Sequence, residues 1–229
     1  MTTDLIFDFF GTLVQYTPGP FHTAPYLQTH DFLIRQGFAL SYEGFTTAFE
    51  IASHELEERA RLTGPEYHMD ELGRLFFHTA FAAEAPDEVV RSFVTVFLSE
   101  WGRGIVYLDR LNPFLERLAT RYRLSVLSNT NYPPLIYDHL AAMGVSRHFA
   151  AVFTSVEIGV RKPHASIFRH ALEQLNIPAE EAIYIGDSYV ADYEGATGAG
   201  IECVLIDPEG RHPDVHTRIE SLFELDRHL

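Results

Sequence analysis

The sequence predicts an α/β protein: a parallel sheet covered on both faces by helices, with a purely helical insert near its start. Three observations predict it. Apolar runs of strand length recur at residues 5–7, 124–127, 152–154, 182–185 and 201–206, and helical spacing fills the gaps between the last four. From about residue 21 to residue 101 the hydrophobic period is helical throughout. Three of the strand candidates end in polar residues, at Asp8, at Ser128-Asn129 and at Gly186-Asp187. Strands that alternate with helices imply a parallel sheet, because each crossover helix must lie on one of its faces.

The elements follow in order. Leu5, Ile6 and Phe7 form a buried strand that Asp8 ends, and Gly11-Thr12 supply a turn. The helical region holds four stretches. The first covers residues 24–33. In the second, Ser41 is placed to cap a helix whose Phe45, Ala48, Phe49, Ala52 and Leu56 recur every three or four residues. Residues 72–81 and 89–101 behave alike, and Gly37, Gly64-Pro65 and Pro86 mark the breaks. Four helices without a strand are expected.

After Gly104 the alternation begins. Asn112-Pro113 is read as N-cap and first helical residue, with Phe114, Leu115 and Leu118 facing inward. The strand at 124–127 ends at Ser128, and the helix through Ile136, Leu140 and Met143 stops at Gly144. A strand at 152–154, a helix at 167–175, a strand at 182–185 and a last strand at 201–206 complete the chain. The change of period therefore divides it into a core of residues 1–15 and 104–229 and a helical insert of residues 16–103.

Composition narrows the function. With 229 residues and 46% hydrophobic content the chain is long enough for one core and a smaller second unit. A formal charge of −15 opposes binding to nucleic acid, while a small anionic substrate still suits a locally positive pocket. Asp4 stands where a secretory leader needs a basic flank, and no stretch approaches ~20 consecutive apolar residues, so neither export nor a membrane span is expected. Cys203 is the single cysteine, which precludes an intrachain disulfide and makes the cytoplasm the expected compartment. Of the seventeen basic residues sixteen are arginine, and Lys162 is the one lysine.

In an open parallel sheet the strand C-termini share one edge, so Asp8, Ser128-Asn129 and Asp187 are expected to converge there. Asp192 follows Asp187 closely, and three carboxylates in one place either raise one another's pKa or recruit a cation. All-oxygen ligation suits Mg²⁺. A competing reading makes Asp192 a cap for the Ala/Gly-rich helix behind it.

Four segments then carry a resemblance: residues 7–13 (FDFFGTL), Leu127-Ser128-Asn129-Thr130, Gly159-Val160-Arg161-Lys162-Pro163, and Ile185-Gly186-Asp187-Ser188 with Asp192. In this order they resemble the motifs of the haloacid dehalogenase superfamily of hydrolases, in the subfamily with a helical cap inserted after the first motif. The resemblance implies a Rossmann-like core and a four-helix cap. Asp8 matches the nucleophile, which becomes a phosphoryl or alkyl ester. Ser128, with the backbone at Asn129, matches the group that holds transferring phosphoryl oxygens. Lys162 matches the lysine that neutralises nucleophile and substrate. Asp187 matches a Mg²⁺ ligand beside Asp8 and the Phe10 carbonyl, and Asp192 supports Lys162 or a metal-bound water. Phe10, Gly11 and Thr12 form the substrate side of the first motif.

One position departs from the pattern. Phosphatases of this superfamily carry a second Asp two residues after the nucleophile, where it protonates the leaving alkoxide; here that position is Phe10. A phenyl ring transfers no proton, so a contribution of ~10²–10⁴-fold is missing from its usual place. Dehalogenases of the superfamily carry an aromatic residue there, and halide leaves without protonation. They resemble Ser/Asn-containing sequences in the fourth motif, however, and this chain has Asp187 and Asp192. Phosphonoacetaldehyde hydrolases use a cap lysine, and residues 16–103 contain none. The expectation is a Mg²⁺-dependent phosphatase on a small phosphate ester or acyl phosphate. A dehalogenase-like reaction on carbon is the alternative, and a weakly active or purely binding protein the second alternative.

Other patterns carry less. His54-Glu55 begins a helical zinc-protease motif, but Glu58 stands where its second histidine belongs. Gly195, Gly198 and Gly200 lack dinucleotide-loop spacing and are read as aids to helix packing. His22 or His30, near the cap entrance, could donate a proton in place of the missing acid.

Overall fold

The structure, a computed structural model, describes residues 2–16, 26–63 and 65–229. The chain divides into two compact units, one of Met1–Tyr16 with Val106–Leu229 and one of Thr17–Ile105.

The first unit is built on a sheet. β1 (Asp4–Phe7) is followed by a two-stranded ribbon of β2 (Val14–Tyr16) and β3 (Ile105–Tyr107). Then come β4 (Arg123–Ser128), β5 (Phe149–Thr154), β6 (Ala182–Gly186), β7 (Glu202–Ile206) and β8 (Arg218–Ile219). Six of these form one sheet in the order β5-β4-β1-β6-β7-β8, and every neighbouring pair is parallel. β1 and β6 are buried at every position, as expected of strands covered on both faces. The register places Phe7 beside Val126 on one side and Ile185 on the other. Asp8, Leu127-Ser128 and Gly186-Asp187 therefore leave the sheet at one level, where the chain order reverses about β1.

In the second unit the described helices are α1 (Leu27–Arg35), α2 (Tyr42–Thr63), α3 (Met69–Phe81) and α4 (Asp87–Trp101). Their core is aromatic: Phe76 stacks on Phe93 and Phe49 on Phe97, each at 4.6 Å between centroids. Gly73 lets α3 approach α4, since a Cβ there would lie 2.8 Å from Val90. The Glu100 carboxylate on α4, 7% exposed, accepts from the amides of Gln28 and Thr29 and from the Thr29 hydroxyl. It thereby satisfies two of the orphan N–H groups at the start of α1. The Ser41 hydroxyl accepts from the Gly44 amide at the start of α2. Residues 24, 25 and 64 lie outside the described residues.

The helices of the first unit are α5 (Leu111–Ala119), α6 (Pro133–Ala142), α7 (Ser155–Ile158), α8 (Ala165–Leu175) and, after a π-helical turn at Tyr189–Glu194, α9 (Gly195–Gly198). α8 buries Ile167, Phe168, Ala171, Leu172 and Leu175 against Ile6, Leu127, Tyr184 and Cys203. Each large side chain buried in this way contributes roughly 1.5–3 kcal/mol. Gly195 admits the Phe168 ring, whose nearest atom would stand 2.7 Å from a Cβ. Gly198 faces open space, and Gly200 turns the chain at φ +86, so only the first of the three serves helix packing.

Several local expectations are corrected. Asn112-Pro113 does not open α5, which starts at Leu111 after Arg110 at φ 67; the Asn112 amide oxygen instead accepts from Arg147 and lies 2.8 Å from His148 Nε2. A strand follows residues 201–206 after all, the two-residue β8, whose length leaves no periodic trace. Asp192 sits inside the π-helical turn, and the Ser188 hydroxyl accepts from the Ala191 amide at its start, so Asp192 is no cap.

Candidate active site

Asp8 leaves β1 with its amide bonded to the Ile185 carbonyl, which ties the nucleophile candidate to β6. It is 7% exposed. Lys162 precedes α8 and is 3% exposed. Its Nζ lies 2.8 Å from Asp8 Oδ1, 2.6 Å from Asp192 Oδ1 and 2.8 Å from the Tyr184 hydroxyl. The second Asp192 oxygen accepts from the Ser188 amide at 2.9 Å, and the side chain is fully buried. Gly186 makes room for it, since a Cβ there would stand 2.4 Å from Asp192 Cγ.

Asp8, Asp187 and Asp192 each bring a carboxylate oxygen within 4.8 Å of the others. Burial pushes the Asp8 carboxyl up to about 6, against the pull of Lys162 and with the push of Asp192. Asp187 stands at the exposed side of the cluster, and its Oδ1 lies 3.5 Å from the Thr12 hydroxyl. The protein packed against it, then the charges of Asp8 and Asp192, raise its carboxyl to about 7. The like charges of Asp8 and Asp192 demand that direction on their own. Burial alone lowers a lysine's pKa, but Asp192 and Asp8 together outweigh it and hold Lys162 above its ordinary value. One ammonium faces three carboxylates, an oxygen set that suits a hard divalent cation.

Ser128 ends β4 and is 1% exposed, and its hydroxyl has no hydrogen-bond partner among the described residues. The Ser125 hydroxyl, earlier in β4, is in the same condition, but Ser128 stands at the strand end beside Asp8, where a ligand could use it. Asn129 is committed: its Oδ1 accepts from the Lys162 amide at 2.8 Å and its Nδ2 donates to the Lys162 carbonyl at 3.0 Å. That leaves the Asn129 main chain, not its side chain, for a ligand. Ser155 fixes the same loop, accepting from the Thr130 amide and donating to the Thr130 carbonyl.

Phe10 packs edge-on against Phe9 at 4.9 Å and against Tyr16 at 6.3 Å. Gly11 is bonded through its amide to the Val14 carbonyl, and a cleft of about 600 Å³ lined by Gly11, Thr12, Gln15, Asp187 and Tyr189 opens beside it. His22 lies outside the described residues. His30 Nε2 is 2.7 Å from the Leu40 carbonyl. His54 and Glu55 lie on an exposed face of α2, where Glu58 pairs with Arg61. No described helix is long and apolar enough to cross a membrane.

Tyr184 is the residue of the site that sequence reasoning missed. In a strand of Ala, Ile and Gly it reads as core, yet a phenol buried at mid-strand needs a polar partner, and that is the signal that points to it.

Known proteins resemble this chain in sequence and in fold. A family model described as haloacid dehalogenase-like hydrolase matches residues 5–200. A phosphoserine phosphatase of Thermus thermophilus is 30% identical over 156 residues, 66% of this chain and 62% of that protein, which is less than two thirds of its length. The 2-haloacid dehalogenase of Pseudomonas syringae pv. Tomato superposes with a TM-score of 0.74 at 23% identity, covering 99% of this chain and 97% of that one. A HAD-hydrolase from Bacillus subtilis, solved bound to magnesium, superposes at 0.66 with 22% identity, covering 100% and 98%. At these identities the two solved structures speak for the fold. With the family model spanning most of the sequence, the chain belongs to the haloacid dehalogenase-like hydrolases.

Proposed function

We propose that this hydrolase is a Mg²⁺-dependent phosphatase that acts on a small phosphate ester or acyl phosphate through an ester on Asp8. The observation that carries the reading is the cluster of Asp8, Asp187 and Asp192, the first and last of which are paired with Lys162. The phosphoserine phosphatase relative and the magnesium-bound neighbour point the same way. The core of residues 1–15 and 104–229 carries the chemistry in this reading, and residues 16–103 form the helical cap.

Asp8, Asp187 and the Phe10 carbonyl would hold Mg²⁺, with Asp192 contributing beside them. When bound, the ion offsets the charge of the carboxylates and of the phosphoryl oxygens. Asp8 attacks phosphorus, the bond from phosphorus to the leaving oxygen breaks, and an aspartyl phosphate forms on Asp8. The Ser128 hydroxyl and the Asn129 amide hold the transferring oxygens. Lys162 neutralises charge on the nucleophile and then on the phosphoryl group. Water then attacks the aspartyl phosphate and releases inorganic phosphate, which restores Asp8.

A second reading rests on Phe10. With a phenyl ring in the usual place of the acid, the site also suits a 2-haloacid, whose halide departs unprotonated while Asp8 becomes an alkyl ester. One experiment separates the two. Phosphate release from a panel of monoesters and acyl phosphates, and halide release from 2-haloacids, are measured with Mg²⁺ and with chelator, in wild type and Asp8→Asn. Phosphate release that requires Mg²⁺ and disappears in Asp8→Asn supports the proposal. Halide release in chelator overturns it in favour of the second reading.

A further inference from the structure

We propose that Tyr184 is a positioning residue for Lys162, holding its ammonium against the nucleophile before and after the ester forms. The proposal rests on the Asp8 ester described above.

A lysine ammonium has three N–H donors and no acceptor. The three acceptors around Nζ are Asp8 Oδ1, Asp192 Oδ1 and the Tyr184 hydroxyl oxygen. The first of them changes during the reaction, because esterification removes the negative charge of Asp8. A lysine held only by Asp8 and Asp192 would then swing toward Asp192 on its flexible four-carbon stem. Tyr184 does not change during the cycle, so it supplies a constant second point of attachment.

The phenol can accept from Lys162 only if its own proton is directed elsewhere, and the geometry provides for that. Its hydroxyl donates to the Leu127 carbonyl at 2.9 Å. Asp192 Oδ1, the competing acceptor at 3.1 Å, already receives Lys162 at 2.6 Å. With the proton on the Leu127 side, a lone pair faces Nζ. Leu127 immediately precedes Ser128, so one hydrogen-bonded chain connects the ammonium to the strand end that carries the Ser128 hydroxyl. The ring cannot drift, being 0% exposed and edge-on to Phe168 at 5.2 Å. Phenylalanine at this position would keep the ring and lose the hydroxyl, both as acceptor for Lys162 and as donor to the Leu127 carbonyl.

The single lysine of the chain makes the test direct. Protein grown with ¹⁵N-lysine shows one side-chain ammonium resonance, that of Lys162, and it reports the geometry with no substrate present. In Tyr184→Phe that resonance should shift and its protons should exchange with water about tenfold faster. With 4-nitrophenyl phosphate, kcat per folded molecule should fall about tenfold while KM changes by less than about twofold, the loss of one hydrogen bond to a charged group. A role confined to packing would move Tm and leave the resonance and the kcat of the folded fraction alone. An unmoved resonance, or a moved one with unchanged kcat, overturns the proposal. If Tyr184→Phe does not fold, wild type carrying 3-fluorotyrosine replaces it. Its weaker phenol acceptor should also move the lysine resonance, and an unmoved one overturns the proposal. Wild type that releases no phosphate refutes the phosphatase reading alone, and the resonance still decides on Tyr184.

Discussion

Gly11 and Asp187 lie so close that a Cβ on Gly11 would stand 2.2 Å from Asp187 Oδ2. Gly11 also sits at φ +82, where a side chain is strained by roughly 1–2 kcal/mol. The turn after the nucleophile thus leaves room for the exposed carboxylate of the cluster. Gly11→Ala should displace Asp187 and weaken the response to Mg²⁺. Wild type in free Mg²⁺ at 100 times Kd should gain about 2.7 kcal/mol. Calorimetric Tm with Mg²⁺ and with chelator is the measurement, and an alanine variant with the wild-type Mg²⁺ response would remove the metal cluster from this account.

The raised carboxyls set a pH dependence. Asp8 at about 6 and Asp187 at about 7 both lie above their ordinary 3.8. Groups raised on folding bind protons more tightly in the folded state, so their contribution is complete below pH 3.8 and is lost as pH rises through 6 to 7. Metal-free protein should therefore lose stability from these groups over that window. Mg²⁺ needs the ionised forms, so its affinity should rise over the same window, with protons released on binding. Calorimetric titration in buffers of different ionisation enthalpy counts those protons, and a pH-independent Mg²⁺ affinity from 5 to 8 would contradict the assignment.

Ser128 separates function from stability. Its buried hydroxyl has no partner among the described residues, and deleting such a group is neutral or mildly stabilising. Ser128→Ala should keep its unfolding free energy within about 1 kcal/mol of wild type while kcat/KM for phosphate esters falls by about tenfold or more, as expected of a lost hydrogen bond to a charged group. Thermal melts and steady-state kinetics on the same preparation check it. A variant with unchanged kinetics would deny the hydroxyl any role with substrate.

Phe10 predicts steep dependence on the leaving group. Nothing at that position protonates an alkoxide, whereas nitrophenolate or carboxylate leaves unaided. Aryl and acyl phosphates should exceed sugar phosphates in kcat/KM by roughly 10²-fold. Phe10→Asp should restore part of the alkyl-phosphate rate, to the extent that Asp8 and Asp187 do not repel the new carboxylate. Equal rates for aryl and alkyl esters in wild type would mean that another group already supplies the proton.

The sequence by itself determined the α/β class, the helical region between the first two motifs, and the segments that carry Asp8, Ser128, Lys162, Asp187 and Asp192. These features are local: strand-length apolar runs, a 3.6-residue period, and polar residues at strand ends are written within a few positions of one another. The shorter elements were not legible, because three residues of β2 and two of β8 are too few to show a period. Asn112 misled because its side chain bonds Arg147 from elsewhere in the fold. Only the tertiary structure decided that Asp192 lies inside a π-helical turn with both oxygens engaged, that the Asn129 side chain serves the Lys162 backbone, and that Tyr184 joins the site. Each of those facts depends on atoms from segments 4 to 57 residues apart, brought together by the register of β4, β1 and β6. Residue types within one segment specify its period and its ends; the direction of a buried hydrogen bond is chosen by whichever neighbour the packed sheet presents.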